Sequence, residues 1–487
     1  MATFADPTDL GVLESAALLR SGELSAAELL AACQARIEEA NGGEPSFDGA
    51  PGAVNAWIRL YPELAEELAA AADARIAKGG EEAPLLCGVP IGLKDLYGVA
   101  GLPVTASSRV LEDRVAEADC TAWARVRSEG MVLVGHTHTH EFAAGGTTDQ
   151  VGNPWALDRS AGGSSGGSAA ALASGMVPAA LGTDTLGSLR IPSALCGTSA
   201  VKATHGRVPI DGIVPLAHTL DHAGPMARSI ADCSALLGAL AGPGPQSSPL
   251  LPPPAPIGPL PVQARPGSRP LEGLKLALTD RPGRQPLDED VAAGLKAARE
   301  ACESLGAVVV EHPAPAELAA EHMSAVLFGD MWAQHRDYAD RADRYRPSIG
   351  ALVGAAAGCD APTYVAAQQA RDAFTVEWEG WFARHGVDFL LEPTVPLVAE
   401  PRGEGYELGN EGGEGDPLIA FTATWDLTGF PVASLPAGLG AVSGLPVGVS
   451  LVGQRGTEAP LLQAAIDLQE HALAPPRPPE GATTAPR

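Results

Sequence analysis

Glycine, proline or charge interrupts every apolar run in this chain before it reaches the roughly 18 to 20 residues that a membrane-spanning helix requires. The 45% of residues that are hydrophobic must therefore be buried by short strands and amphipathic helices around an internal core. A length of 487 residues leaves ample material for such a core. With 19% charged residues, the composition is that of an ordinary globular protein rather than a disordered one.

Several short runs can be placed directly. Ser25-Ala26-Ala27-Glu28 reads as a capping box, and Leu29, Leu30, Cys33 and Ile37 recur at helical spacing until Asn41-Gly42-Gly43. Leu85 to Ile91 and Met131 to Val134 read as short buried strands. Leu274 to Leu278 reads as a further strand, followed by a helix over Asp288 to Leu305. Such alternation predicts an α/β fold on a largely covered sheet. From Pro243 to Pro270 the proline content predicts an extended surface connection, and Gly403 to Gly415, with four glutamates and no lysine, a flexible acidic loop.

Charge and cysteine narrow the function classes. The net charge of −27 argues against broad contact with a phosphate backbone or an anionic membrane surface, so neither nucleic acid nor membrane is an expected partner. The seven cysteines are scattered with no C-x-x-C pair, which predicts reduced thiols rather than a disulfide framework or a zinc site. The opening residues show no basic start followed by an apolar run, and a cytoplasmic location is expected.

The chemistry-bearing stretch is Gly162-Gly163-Ser164-Ser165-Gly166-Gly167-Ser168, which runs into the small-residue helix Ala169 to Ala173. A Gly/Ser loop feeding a helix start presents unpaired backbone N–H groups to an anion or a developing oxyanion. Downstream stands Gly182-Thr183-Asp184-Thr185-Leu186-Gly187-Ser188-Leu189-Arg190-Ile191-Pro192, and upstream Gly88-Val89-Pro90-Ile91-Gly92-Leu93-Lys94-Asp95. Together these segments resemble the amidase signature family. Further similarity runs through Glu141-Phe142-Ala143, Asn153-Pro154-Trp155, His205-Gly206-Arg207-Val208, Gly224-Pro225-Met226-Ala227-Arg228, Leu427-Thr428-Gly429-Phe430-Pro431 and Gly444-Leu445-Pro446-Val447-Gly448. The resemblance spans roughly residues 10 to 470, with the proline-rich stretch and Met323 to Thr375 outside it.

The resemblance implies an amidase signature fold, a central mixed β-sheet covered on both faces by helices. It implies one domain over 1–487, with the signature core at about 85–235, a connection at 243–270, a C-terminal part at 271–470 and a flexible tail at 474–487. It implies Ser188 as acylated nucleophile, Ser164 as a bridging serine held by a cis peptide, and Lys94 as ultimate base. Oxyanion donors would be the backbone N–H groups of Thr185, Leu186, Gly187 and Ser188, with Ser165, Asp184 and Arg190 in support. For Asp184 and Arg190 a structural ion pair is the favoured role. An unperturbed lysine titrates near 10.4, so Lys94 has to be buried to serve as a base.

Leu186 departs from the family, which commonly has glycine there. Leucine would be strained at positive φ, so a more apolar pocket wall is expected instead. Trp425 is expected in the substrate pocket. No cofactor is expected, and the run His136-Thr137-His138-Thr139-His140, whose histidines could face one way on a strand and chelate a metal, is expected to hold none. Gly162-x-Ser164-x-Gly166 also fits an α/β-hydrolase elbow, but Ala156 to Ser160 before it reads as a turn, not an apolar strand. The activity implied is hydrolysis of a small-molecule carboxylic amide, and possible extensions are carbamates and esters with apolar groups. The protein would act as a monomer or homodimer. The alternatives are the glutaminase subunit of a tRNA-dependent amidotransferase and a silent scaffold of the same fold.

Overall fold

The computed structural model describes residues 6–50, 52–245, 257–403 and 416–478. In chain order the strands are β1 Trp57–Leu60, β2 Pro90–Lys94, β3 Val132–Thr137, β4 Gly152–Asn153, β5 Ala156–Ser160, β6 Ala179–Asp184 and β7 Ser199–Lys202. They continue as β8 His222–Ala227, β9 Lys275–Leu278, β10 Val308–Glu311, β11 Phe389–Pro393, β12 Val432–Leu439 and β13 Pro446–Val452. Eleven of them form one sheet in the order β1-β3-β2-β6-β8-β7-β12-β13-β11-β9-β10, and β4 pairs with β5 alone. The sheet is mixed: β2 runs parallel to both β3 and β6, while β6 and β8 are antiparallel. Helices flank it, and buried apolar side chains from Val12 to Leu473 join in one core.

The fold puts the signature residues at the ends of parallel strands. Every residue of β2, β3 and β6 is buried, as expected for strands covered on both faces. Lys94 ends β2 and Asp184 ends β6, so both reach the same edge of the sheet, where the Gly/Ser loop turns into the helix Gly166–Ala173.

The capping box at Ser25 is present in full. Ser25 Oγ accepts from the Glu28 N–H at 3.1 Å and Glu28 Oε2 from the Ser25 N–H at 2.9 Å, opening the helix Ala26–Ala40. The strand expected from Leu85 begins only at Pro90, because Cys87 N–H bonds back to Pro84 O and Val89 N–H to Leu86 O, making turns. Apolar content alone does not separate a buried turn from a strand. The turn expected at Ala156 to Ser160 is β5, held in its hairpin by Asn153 Nδ2 bonding to Ser160 O at 3.1 Å. The described part of the proline-rich connection, 257–270, has no helix or strand, and Arg265 ties it to Asp467 at 2.7 Å. Most of the acidic stretch from Gly403 to Gly415, and the end of the tail, lie outside the described residues.

Candidate active site

Lys94 is fully buried at the end of β2. Its Nζ donates to Ser164 Oγ at 2.7 Å and to Thr183 Oγ1 at 2.8 Å. Removal from water disfavours the ammonium and lowers its pKa to about 7, although the Asp184 and Asp221 carboxylates pull the other way. A lysine at about 7 is partly neutral at physiological pH and able to take up a proton.

Ser164 follows a cis Gly163–Ser164 peptide bond, and its carbonyl accepts from the His140 N–H at 3.0 Å and Thr148 Oγ1 at 3.2 Å. Ser165 stitches the loop to its surroundings: its hydroxyl donates to Thr183 O at 3.2 Å and its N–H donates to Ser188 O at 3.3 Å. The backbone of Ser188 is thereby tied to the residue next to Ser164. Its hydroxyl has no hydrogen-bond partner among the described residues and lines a cavity of about 390 Å³, a volume suited to a small organic molecule.

Between β6 and Ser188 the chain makes a tight loop. Asp184 accepts from Arg190 Nε at 2.8 Å and Nη2 at 3.1 Å, and the same guanidinium reaches Asp426 Oδ2 at 2.5 Å and Thr422 O at 3.0 Å. All three charged groups are wholly buried, and Asp184 and Arg190 form a buried ion pair. Gly187 differs from expectation: its N–H donates to Asp184 Oδ1 at 2.5 Å and is not open to an oxyanion. Its φ of 136°, and Thr422 Oγ1 standing where a Cβ would go, leave room for glycine alone. The N–H groups of Thr185, Leu186 and Ser188 make no hydrogen bond among the described residues. Leu186 is not in the left-handed region and lines the cavity, so leucine is accommodated without backbone strain.

Trp425 is not a pocket residue. It is fully buried beside Trp378 and Phe430, its Nε1 donates to Glu392, and Arg281 lies over its ring at 5.4 Å. The helix Ala423–Thr428 turns the indole into the core, and Ile419, just before it, faces the cavity instead. Trp425→Ala is expected to destabilise the protein by about 3 to 5 kcal/mol, measured by denaturant unfolding.

The three histidines do not converge. β3 ends at Thr137, so alternation stops before His138. His136 bonds Tyr61 Oη and Tyr97 O, His138 bonds Ser46 O, and His140 lines the cavity. No cluster of three His, Cys, Asp or Glu side chains able to hold a metal is present among the described residues. Activity measured after exhaustive chelation and dialysis is expected to equal that of untreated protein.

Sequence reasoning missed Thr183, the second partner of Lys94, and Asp426, the second carboxylate on Arg190. It also missed the cavity wall formed by Leu327, Phe328 and Met331 on the helix Ala320–His335 and by Ile349, Leu352 and Ala355 on the helix Pro347–Ala356. Thr183 could have been found by setting the ends of β2 and β6 side by side. The wall comes from the segment Met323 to Thr375, which carries none of the sequence motifs that mark the site.

A family model described as amidase matches residues 28–462. Among related sequences, a glutamyl-tRNA(Gln) amidotransferase subunit from Anaeromyxobacter dehalogenans (strain 2CP-C) is 35% identical over 97% of this chain and 98% of its own length. Its counterpart from Ralstonia pickettii (strain 12J) is 36% identical over 93% and 96%. Among solved structures, 6-aminohexanoate cyclic dimer hydrolase in complex with substrate superimposes with a TM-score of 0.82 at 27% identity, covering 97% of this chain and 99% of that one. A bacterial aryl acylamidase of the amidase signature family gives 0.80 at 27% identity, with 95% and 96% covered. The chain belongs to the amidase signature family, whose hydrolases act on amides.

Proposed function

We propose that Ser188, Ser164 and Lys94 act in sequence on an amide carbonyl. Ser188 Oγ attacks the carbonyl carbon while its proton passes to Ser164 and the Ser164 proton to neutral Lys94 Nζ. Collapse of the tetrahedral adduct breaks the C–N bond, with Ser164 returning a proton to the departing amine. Water then cleaves the acyl-enzyme by the same relay. The N–H groups of Thr185, Leu186 and Ser188, which have no partner among the described residues, are the donors available to the oxyanion. The Lys94–Ser164 hydrogen bond at 2.7 Å supports the Ser164-to-Lys94 step of the relay. The link from Ser164 to Ser188 would form when substrate fills the cavity, since such bonds often tighten only in the complex.

The preferred substrates in this reading are amides and aryl carbamates with apolar groups. The observation that carries it is the cavity beside Ser188. Leu186, Ile191, Leu216, Leu327, Phe328 and Ile349 line it, and among the described residues no lysine or arginine does. Burying apolar surface there contributes about 25 cal/mol per Å². Glutamine would bring a charged α-carboxylate into a lining that offers no lysine or arginine among the described residues.

A second reading, the glutaminase subunit of an amidotransferase, is favoured by the names of relatives 35–36% identical over nearly the whole chain. The ratio of kcat/KM for an anilide or aryl carbamate to that for glutamine decides between them. The expected ratio is at least tenfold in favour of the apolar substrate, and preference for glutamine would put the second reading first.

A further inference from the structure

The polar side chains of the substrate cavity include four hydroxyls, two carboxylates and one imidazole among the described residues. Asp149 and Asp416 are its charged lining residues among those described, and His140 joins them. Asp416 is only 8% exposed. Its Oδ1 accepts from the Leu418 N–H at 2.9 Å, which fixes the carboxylate at the head of the short turn Pro417–Ile419. Gly146, also on the cavity wall, lets it approach: a Cβ there would collide with Asp416 Oδ2. His140 is 6% exposed, its Nε2 stands 3.9 Å from Asp149 Oδ2, and its Nδ1 has no hydrogen-bond partner among the described residues.

Two carboxylates, and a buried imidazole nitrogen with no hydrogen-bond partner among the described residues, beside a largely aliphatic cavity wall ask for a ligand that donates hydrogen bonds and carries positive charge. Buried carboxylates are ordinarily paired, and among the described residues the hydrogen bonds that Asp416 accepts come from backbone N–H groups. Asp149 is in part satisfied already, by Thr147 Oγ1 at 2.9 Å and by Arg346, whose Nη1 lies 3.8 Å away. Asp416 is therefore the anchor and Asp149 the lesser contributor.

We propose that the cavity takes amides whose apolar body ends in a protonated primary amine, with the ammonium group against Asp416 and the scissile carbonyl at Ser188. An ammonium ion offers three donors and one positive charge, which matches the acceptors present, and the aliphatic lining covers the chain between the two ends. Burial raises the Asp416 carboxyl to about 6, so it is ionised at neutral pH, and an ammonium beside it would hold it more firmly in that state. The same charge pattern rejects a substrate carboxylate by repulsion. This inference rests on the apolar-amide reading of the site.

Matched p-nitroanilides test it: pentanoyl against 5-aminopentanoyl, and, for a charge on the departing side, N-butanoyl derivatives of pentylamine and of 1,5-diaminopentane. At least one pair is expected to favour its ammonium member tenfold or more in kcat/KM. Asp416→Asn is expected to reduce that ratio to twofold or less, and Asp149→Asn to reduce it only in part. If Asp416→Asn does not fold, inhibition of the wild-type enzyme by hexylamine against 1-hexanol reads the same site, with the amine expected at least tenfold stronger. Equal or faster turnover of the neutral member in both pairs overturns the inference and leaves the apolar-amide reading standing. A preference that survives Asp416→Asn overturns the assignment to that carboxylate. If no member of either pair is cleaved while glutamine is, the underlying reading fails and the inference falls with it.

Discussion

Ser188→Ala is expected to lower kcat/KM by at least about 10⁴-fold while leaving the protein folded. Alanine removes only the hydroxyl, which has no partner among the described residues, and keeps the carbonyl that receives the Ser165 N–H at 3.3 Å. The loop conformation is held by Asp184, Arg190 and Gly187, none of which contacts the lost oxygen through a hydrogen bond. The loss is therefore one of nucleophile, not of architecture. A serine-directed fluorophosphonate should form its adduct on Ser188, located by peptide mass spectrometry, and Ser188→Ala should abolish labelling. An adduct on Ser164 with Ser188 unmodified would exchange the two roles.

How much of this site can be read from the sequence follows from how local each part is. Lys94, Ser164, Ser165, Asp184, Ser188 and Arg190 sit in short segments that carry the family resemblance, and the structure gathers them at one edge of the sheet. The capping box at Ser25 was legible for the same reason, because all its bonds lie within four residues. Gly187 shows where local reading ends: the pattern marks a backbone donor, but whether that donor is free depends on the Asp184 side chain folding back onto it. Trp425 and Asp426 are neighbours in sequence with opposite fates. The larger residue drew attention, yet a one-turn helix sends the indole into the core and the carboxylate to Arg190.

The cavity wall was illegible because it is assembled by tertiary packing. Leu327 and Ile349 stand on helices whose sequence carries no motif, and nothing local sets either beside Ser188. The histidine run shows the limit of strand periodicity, since alternation is informative only while the strand lasts and β3 stops at Thr137. Leu186 was legible in its consequence: a leucine beside Ser188 makes an apolar wall once its backbone lies outside the left-handed region.

Lys94→Ala is expected to lower kcat/KM by three or more orders of magnitude, and the wild-type pH profile should carry the signature of the same group. In the relay Lys94 has to be neutral to accept the Ser164 proton. Burial brings its pKa down to about 7, so the neutral fraction, and with it kcat/KM, should fall about tenfold per pH unit below that value and level off above it. The sign follows from the base role: a lysine acting only as a fixed cation would give the reverse limb, with activity lost as pH rises. Arginine at this position would keep a charge and hydrogen-bond donors but never become neutral, so Lys94→Arg should be as inactive as Lys94→Ala. Structural loss is separable, because circular dichroism and the unfolding midpoint report on the sheet while the acid limb reports on proton uptake. A folded Lys94→Ala protein with near-normal rates, or a wild-type acid limb unmoved from that of a folded Lys94→Ala protein, would remove the lysine from the relay and leave Ser188 needing another base.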